Sequence, residues 1–286
     1  MEYYTLANGV KMPKLGFGVF QINDLNATET AVSQAIEEGY RLFDTAVAYE
    51  NESAVGAAIK KSGLPREDCF VTTKLWINDF KYEDAKQAID KSLKKMQLDY
   101  MDLFLLHQPY GDVFGAWRAL EEAYHAGKTR SIGVSNFEPF QLQNLAVFNE
   151  IKPMVNQIEI NPWEQNKESV EFAQANEIQA EAWAPFAEGM HDIFSNENLE
   201  NIAQKHDKTV GQVILRWLLQ RNIVVIPKTT HQDRMAENIN VFDFELNDAE
   251  MIIIADLDLK ESQFFDHLDP KAVDRLAGFK VSALDD

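Results

Sequence analysis

The chain has 286 residues, with 27 Lys+Arg against 46 Asp+Glu and a formal charge of −19 at pH 7. Hydrophobic residues make up 45% and aromatics 11%, enough for a packed core and too many for a disordered chain. The acidic balance excludes a general nucleic-acid binder and a polybasic membrane anchor, since both need cations facing phosphate.

The first residues, MEYYTLANGV, lack the basic-then-apolar pattern of a signal peptide, and no apolar run approaches the roughly 20 residues of a spanning helix. The single cysteine, Cys69, cannot form an internal disulfide or a cysteine-based metal site. A cytoplasmic protein with no membrane contact is expected. Asn8-Gly9 between short flanks predicts a hairpin with a tight primed turn. Short apolar runs follow at 15–18, 41–44, 70–74, 101–107, 131–135, 155–159, 180–183 and 223–227. Most are continuous, as in parallel strands buried on both faces. Between them, Ala85, Ile89, Leu93 and Met96 share one helix face, and so do Phe114, Trp117, Leu120 and Tyr124, with Gly127 as a left-handed cap. Thr209 with Gln212, and Asn247 with Glu250, are capping-box signals.

Eight strand–helix alternations with no linker or charge block to divide them favour a closed (β/α)8 TIM barrel over an open doubly wound sheet. The reading is one domain over residues 1–286, with an N-terminal β-hairpin and an extra C-terminal helix and tail.

In such a barrel the carboxyl ends of the strands carry the chemistry. There the sequence places Asp44 with Tyr49 just beyond it, Lys74, and His107. Singly these residues read as a helix cap, a packing ring, a solvated amine and a core histidine. Three consecutive strands ending in an acid, an amine and an imidazole make a stronger joint signal. An ammonium lowers the pKa of a nearby phenol, an aspartate holds that ammonium, and an imidazole orients a carbonyl. The set suits general-acid catalysis at an oxygen gaining negative charge.

A second group, Lys228, Thr229 and Thr230 with Arg234, Glu237 and Asn238, follows the eighth strand and suits a phosphate at a strand–helix junction. From Arg216 to Arg234 there are four basic residues and one acid, Asp233, a local reversal in an acidic chain. Trp183, Phe20 and Trp76 bring flat rings to the same rim, suited to covering a nicotinamide or lining an apolar pocket. Gly16-Phe17-Gly18 lacks the third glycine of a Rossmann turn, and there is no Walker loop, no Gly-x-Ser-x-Gly elbow and no His-Glu-x-x-His metal motif.

Asp44-Thr45-Ala46 with Tyr49 and Asn51-Glu52, Thr73-Lys74-Leu75-Trp76, Leu105-Leu106-His107, Gly133-Val134-Ser135-Asn136-Phe137 and Asn156-Gln157-Ile158-Glu159 occur in that order. Together with Ile226 through Asn238, they resemble the aldo-keto reductase superfamily over nearly the whole chain. The resemblance implies a barrel binding NADPH in extended form, and a carbonyl reductase with Asp44, Tyr49, Lys74 and His107 as its catalytic tetrad and Tyr49 as proton donor. It further implies that Ser135, Asn136 and Gln157 hold the carboxamide, that Trp183 stacks on the nicotinamide, and that Lys228, Thr229, Arg234 and Asn238 take the 2′-phosphate and adenine end, with Thr230 and Glu237 beside them. Phe20, Trp76, His107 and Gln108 would meet the substrate. Gln108 stands where many relatives have tryptophan, and Phe20 likewise; the loop 108–113 is short.

The closest subgroup in character is that of bacterial 2,5-diketogluconate-reductase-like enzymes, Phe265-Asp266-His267 included. It implies a small aldehyde, diketone or keto sugar acid as substrate, and a monomer is expected. The competing readings are an NADPH-binding regulatory or sensor protein and a barrel glycoside hydrolase using Glu159 with a second carboxylate.

Overall fold

The computed structural model describes residues 1–285. The chain begins with an antiparallel hairpin of β1 (Tyr3–Thr5) and β2 (Lys11–Pro13). The connection differs from the expected two-residue primed turn, because only Gly9 takes a positive φ, 86°. Leu6 N–H donates to the Val10 carbonyl at 2.9 Å and Gly9 N–H to the Leu6 carbonyl at 2.8 Å, so the loop is wider. Asn8 serves another purpose: its Nδ2 donates to the Arg130 carbonyl at 2.8 Å, tying the hairpin to the barrel.

Eight parallel strands follow: β3 (Phe17–Gly18), β4 (Leu42–Asp44), β5 (Phe70–Leu75), β6 (Leu103–Leu106), β7 (Ile132–Ser135), β8 (Val155–Glu159), β9 (Gln179–Trp183) and β10 (Val224–Val225). They pair in chain order, and a parallel bridge between Leu15 and Val225 closes the ring. Gly16 N–H donates to the Val225 carbonyl at 2.8 Å and Gly18 N–H to the Pro227 carbonyl at 3.1 Å across that seam.

The helices α1 (Leu25–Glu37), α2 (Glu52–Ser62), α3 (Tyr82–Met96), α4 (Val113–His125), α5 (Pro139–Phe148) and α6 (Lys167–Ala175) each connect two successive barrel strands. Between β9 and β10 lie two, α7 (Glu197–His206) and α8 (Val210–Gln220). Three more follow the last strand: α9 (Gln232–Ile239), α10 (Asp248–Ala255) and, beyond the expected extra helix, α11 (Pro270–Ala277). Both predicted capping boxes form, at the starts of α8 and α10, each worth about 1 kcal/mol to its helix.

Alternation along the strands sorts the core into two layers. Leu42, Phe70, Leu103, Leu105, Val155 and Val224 form one cluster with Leu6 and Met12 of the hairpin, which plugs the interior. Phe43, Val71, Phe104, Leu106, Ile132 and Val134 belong to the larger core shared with the helices. Two residues on from Leu42, the same phase brings Asp44 inward; in β5, Phe70 leads in the same way to Thr72 and Lys74. Apolar side chains fill the lower interior and polar ones the upper. Gly133 is required in this packing, since a Cβ there would stand 2.6 Å from the Val155 carbonyl oxygen.

Candidate active site

The upper ends of the strands open into a cavity of about 1090 Å³, above the usual 300–1,000 Å³ of small-molecule pockets. Asp44, Tyr49 and His107 line it, and Lys74 stands immediately behind them, wholly buried.

Lys74 Nζ donates to Asp44 Oδ1 at 2.6 Å, to the Thr45 carbonyl at 2.9 Å and to Tyr49 Oη at 3.3 Å, which uses all three of its protons. Tyr49 gets there because the chain leaves β4 through a single 3-10 turn, Val47–Tyr49. His107 follows directly on β6, with Tyr49 and Trp76 ring edges against it at centroid distances of 5.5 and 5.1 Å.

Burial works against the Lys74 ammonium, but Asp44 and Tyr49 outweigh it and hold the group above its ordinary value, so it stays charged. Tyr49 corrects the expected direction. Lys74 does pull the phenol down, but burial pushes it up further, and the balance stands above the ordinary value. His107 is held well below the usual histidine range, first by burial and then by the Lys74 charge, and is neutral at pH 7.

Below the rim, Gln157 Nε2 donates to Asp44 Oδ2 and to Glu181 Oε2, both at 2.9 Å. Both amide protons are thereby used, leaving its Oε1 as the atom available to a ligand. Asn136, at φ 64°, donates through Nδ2 to the His107 carbonyl and to Ser135 Oγ, both at 3.1 Å, and accepts from Trp183 Nε1 at 2.8 Å. It therefore fixes the Trp183 ring as well as facing the cavity.

At the far end, Lys228, Thr229, Arg234, Glu237 and Asn238 line the same cavity. Lys228 and Arg234 make no ion pair among the described residues, and Asn238 is buried. Thr209 Oγ1 donates to Glu237 Oε1 at 2.7 Å. Thr230 departs from expectation: it is exposed and lies outside the cavity lining. The basic stretch also divides, for Arg216 pairs with Glu245 at 3.2 Å and Arg221 donates to the Gln165 carbonyl at 3.0 Å. Only its last two cations reach the cavity.

The other end of the cavity brings together Phe20, Trp76 and Gln108 with Phe264, Phe265, His267 and Phe279 of the tail, whose place there was not expected. Trp76 Nε1 donates to the Phe279 carbonyl at 3.0 Å and Tyr110 Oη to the His267 carbonyl at 2.6 Å. Glu159 does not line the cavity. It accepts from Ser262 Oγ at 2.6 Å, Gln263 N–H at 3.0 Å and Asn161 Nδ2 at 3.1 Å, fastening the tail. Its hydrogen bonds give it a structural task in place of the hydrolytic one. Phe186, Gly189 and Phe194 of the loop after β9 complete the wall, beside Val210 at the start of α8. Nothing in their spacing marks them, since docking of separate segments brings them in.

A closed eight-stranded barrel with a buried lysine–aspartate pair beneath a tyrosine, a neutral histidine beside it and free cations at the far end of one cleft defines an oxidoreductase-like site. Residues 14–259 match the model of the Aldo/keto reductase family, and the chain belongs to that family. It is 48% identical over 247 residues to a glyoxal reductase of Bacillus subtilis (strain 168), covering 86% of this chain and 89% of that protein. Among solved structures it is similar to MGS-M4, an aldo-keto reductase from a Medee basin deep-sea metagenome library, with a TM-score of 0.91 and 42% identity, covering 93% of this chain and 98% of that one. A Bombyx mori aldo-keto reductase in complex with NADP superposes with a TM-score of 0.88 at 33% identity, covering 92% and 94% of the two chains.

Proposed function

We propose that this protein reduces small, uncharged aldehydes and ketones to alcohols with NADPH, α-dicarbonyls such as glyoxal included, with Tyr49 as the proton donor. The observation that carries the reading is the Asp44–Lys74–Tyr49 chain of contacts, 2.6 and 3.3 Å, at the wall of a cleft that also reaches Lys228 and Arg234.

The residues present fit the nucleotide. Gln157 Oε1, Ser135 and Asn136 would hold the carboxamide and Trp183 the ring face, while Lys228, Thr229, Arg234 and Asn238 would take the adenosine end with its 2′-phosphate. Bound NADPH supplies the hydride that reduces the carbonyl carbon. Tyr49 hands its proton to the carbonyl oxygen as negative charge develops there. Lys74 stabilises the phenolate left behind, and Asp44 keeps the ammonium charged and aimed. His107, neutral, donates a ring N–H to the same oxygen and orients it.

The substrate end favours uncharged compounds over keto acids. Its imidazoles are both neutral at pH 7, His267 being lowered to about 4 chiefly by burial. Gln108 adds a neutral amide. NADPH oxidation with glyoxal, by wild type and Tyr49→Phe, tests the reading. The variant should lose about 10²–10⁴-fold in kcat and still bind NADPH by fluorescence titration. Near-normal turnover by Tyr49→Phe would falsify the assignment, and nucleotide binding without wild-type turnover on any carbonyl would point to a sensor.

A further inference from the structure

We propose that Glu181 is a positioning residue that sets the charge balance of Asp44, Lys74 and Tyr49: neutral, it leaves Lys74 facing one carboxylate, and ionised, it adds a second and makes Tyr49 a poorer acid. The idea rests on the proton-donor role argued above for Tyr49, but the state of Glu181 can be tested without it.

Glu181 sits in β9 in direct register with Gln157 of β8, is wholly buried, and points into the upper barrel interior. One amide nitrogen, Gln157 Nε2, bridges Glu181 Oε2 and Asp44 Oδ2, while Glu181 Oε1 has no partner among the described residues. A continuous hydrogen-bonded line therefore runs from Glu181 through Gln157, Asp44 and Lys74 to Tyr49.

The groups around Glu181 are few. β4 brings Asp44, β5 brings Lys74, the turn after β4 brings Tyr49, β8 brings the uncharged Gln157, and Val224 of β10 lies alongside. With Glu181 neutral, one carboxylate balances one ammonium in a buried place. Two carboxylates against one ammonium leave an uncompensated buried charge. Burial first, and the Asp44 charge second, push Glu181 up to about 8, against the pull of Gln157 and Lys74. In the other direction, a charged Glu181 raises both Tyr49 and Lys74. Rising pH through this range therefore weakens the proton donor.

Glu181→Gln keeps an acceptor oxygen toward Gln157 and never ionises. The first measurement is kcat/KM for glyoxal between about pH 6 and 10. Wild type should fall about tenfold between pH 7 and 9, and the variant should not, so their ratio changes by that factor. Identical alkaline limbs overturn the positioning role.

The second measurement is thermal unfolding without nucleotide. An acid whose folded pKa is raised keeps a proton the unfolded chain has released, so wild type loses Tm relative to Glu181→Gln as pH climbs from about 5 to 8. A pH-independent gap overturns the proposal. If the variant does not fold, the infrared band of a protonated carboxyl decides, read in Glu52→Gln because Glu52 is also buried and raised: present at pH 7 and lost by about pH 9, it supports Glu181 neutrality, and absent at pH 7 it refutes it. Loss of the reductase reading, with no turnover in either protein, leaves the unfolding and infrared outcomes to be read on their own.

Discussion

Replacing Asp44 by Asn keeps the shape of the side chain and removes the charge facing Lys74 at 2.6 Å. At an effective dielectric constant of about 20, that attraction is about 6 kcal/mol. Lys74 is fully buried, so water cannot take over from Asp44. The ammonium has one escape, which is to lose its proton. Starting from an ordinary unfolded-state value near 10.4, that costs about 1.4 kcal/mol per pH unit, or about 5 kcal/mol at pH 7 and about 2 at pH 9. The smaller of the two costs sets the outcome, about 3–5 kcal/mol at pH 7, in line with removing one member of a buried ion pair. The sign follows: a base with a lowered folded pKa binds fewer protons folded than unfolded, so stability recovers as pH rises towards 10. Urea unfolding of Asp44→Asn at a series of pH values measures this, in a Glu181→Gln background so that no second carboxylate replaces the first. A loss under 1 kcal/mol, or one that does not shrink between pH 7 and 9, refutes the argument.

Arg234→Ala should weaken NADPH binding by about tenfold or more and NADH much less, because the guanidinium lines the far end of the cleft with no ion pair among the described residues. Fluorescence titration with both nucleotides checks it, and equal losses would remove the 2′-phosphate from that place. Glu159→Gln loosens the fastening of Ser262 and Gln263, and with it Phe264 against Trp183 at 5.1 Å. KM for glyoxal should rise several-fold while the NADPH Kd moves less than twofold; steady-state kinetics with an unchanged KM would show that the tail is held by other means.

The eight strands were legible because strands buried on both faces are written as unbroken apolar runs. Their ends were less so at the seam: 15–18 and 223–227 shrink to Phe17–Gly18 and Val224–Val225, with Leu15 left as a lone bridge partner. The grouping of Asp44, Lys74 and His107 with Tyr49 was legible because ionisable residues end three neighbouring strands and a phenol follows the first. Its electrostatics were not, for the sign of the Lys74 effect on Tyr49 follows from composition while the size of the burial penalty does not. Glu181 could have been found, since it is an acid inside an apolar run and two residues before Trp183. The tail helix Pro270–Ala277 also carried a signal, Asp269 before Pro270, which caps it. Phe265-Asp266-His267 marked a subgroup but not a place in the pocket wall, because the tail's position depends on distant partners such as Asp79, which receives Ala283 N–H at 2.8 Å.

The seam between β3 and β10 has a further consequence. It joins opposite ends of the chain by a single bridge and a few hydrogen bonds, whereas neighbours such as β8 and β9 pair over five residues. Among the pairings between barrel strands it spans the greatest sequence separation, so the ring is expected to close last and open first. Gly18 and Lys228 lie on its two sides and both line the cleft. A dinucleotide lying there would act as a clasp, and amide exchange at Gly16, Gly18 and Val225 should slow more on its binding than exchange in the longer strands opposite.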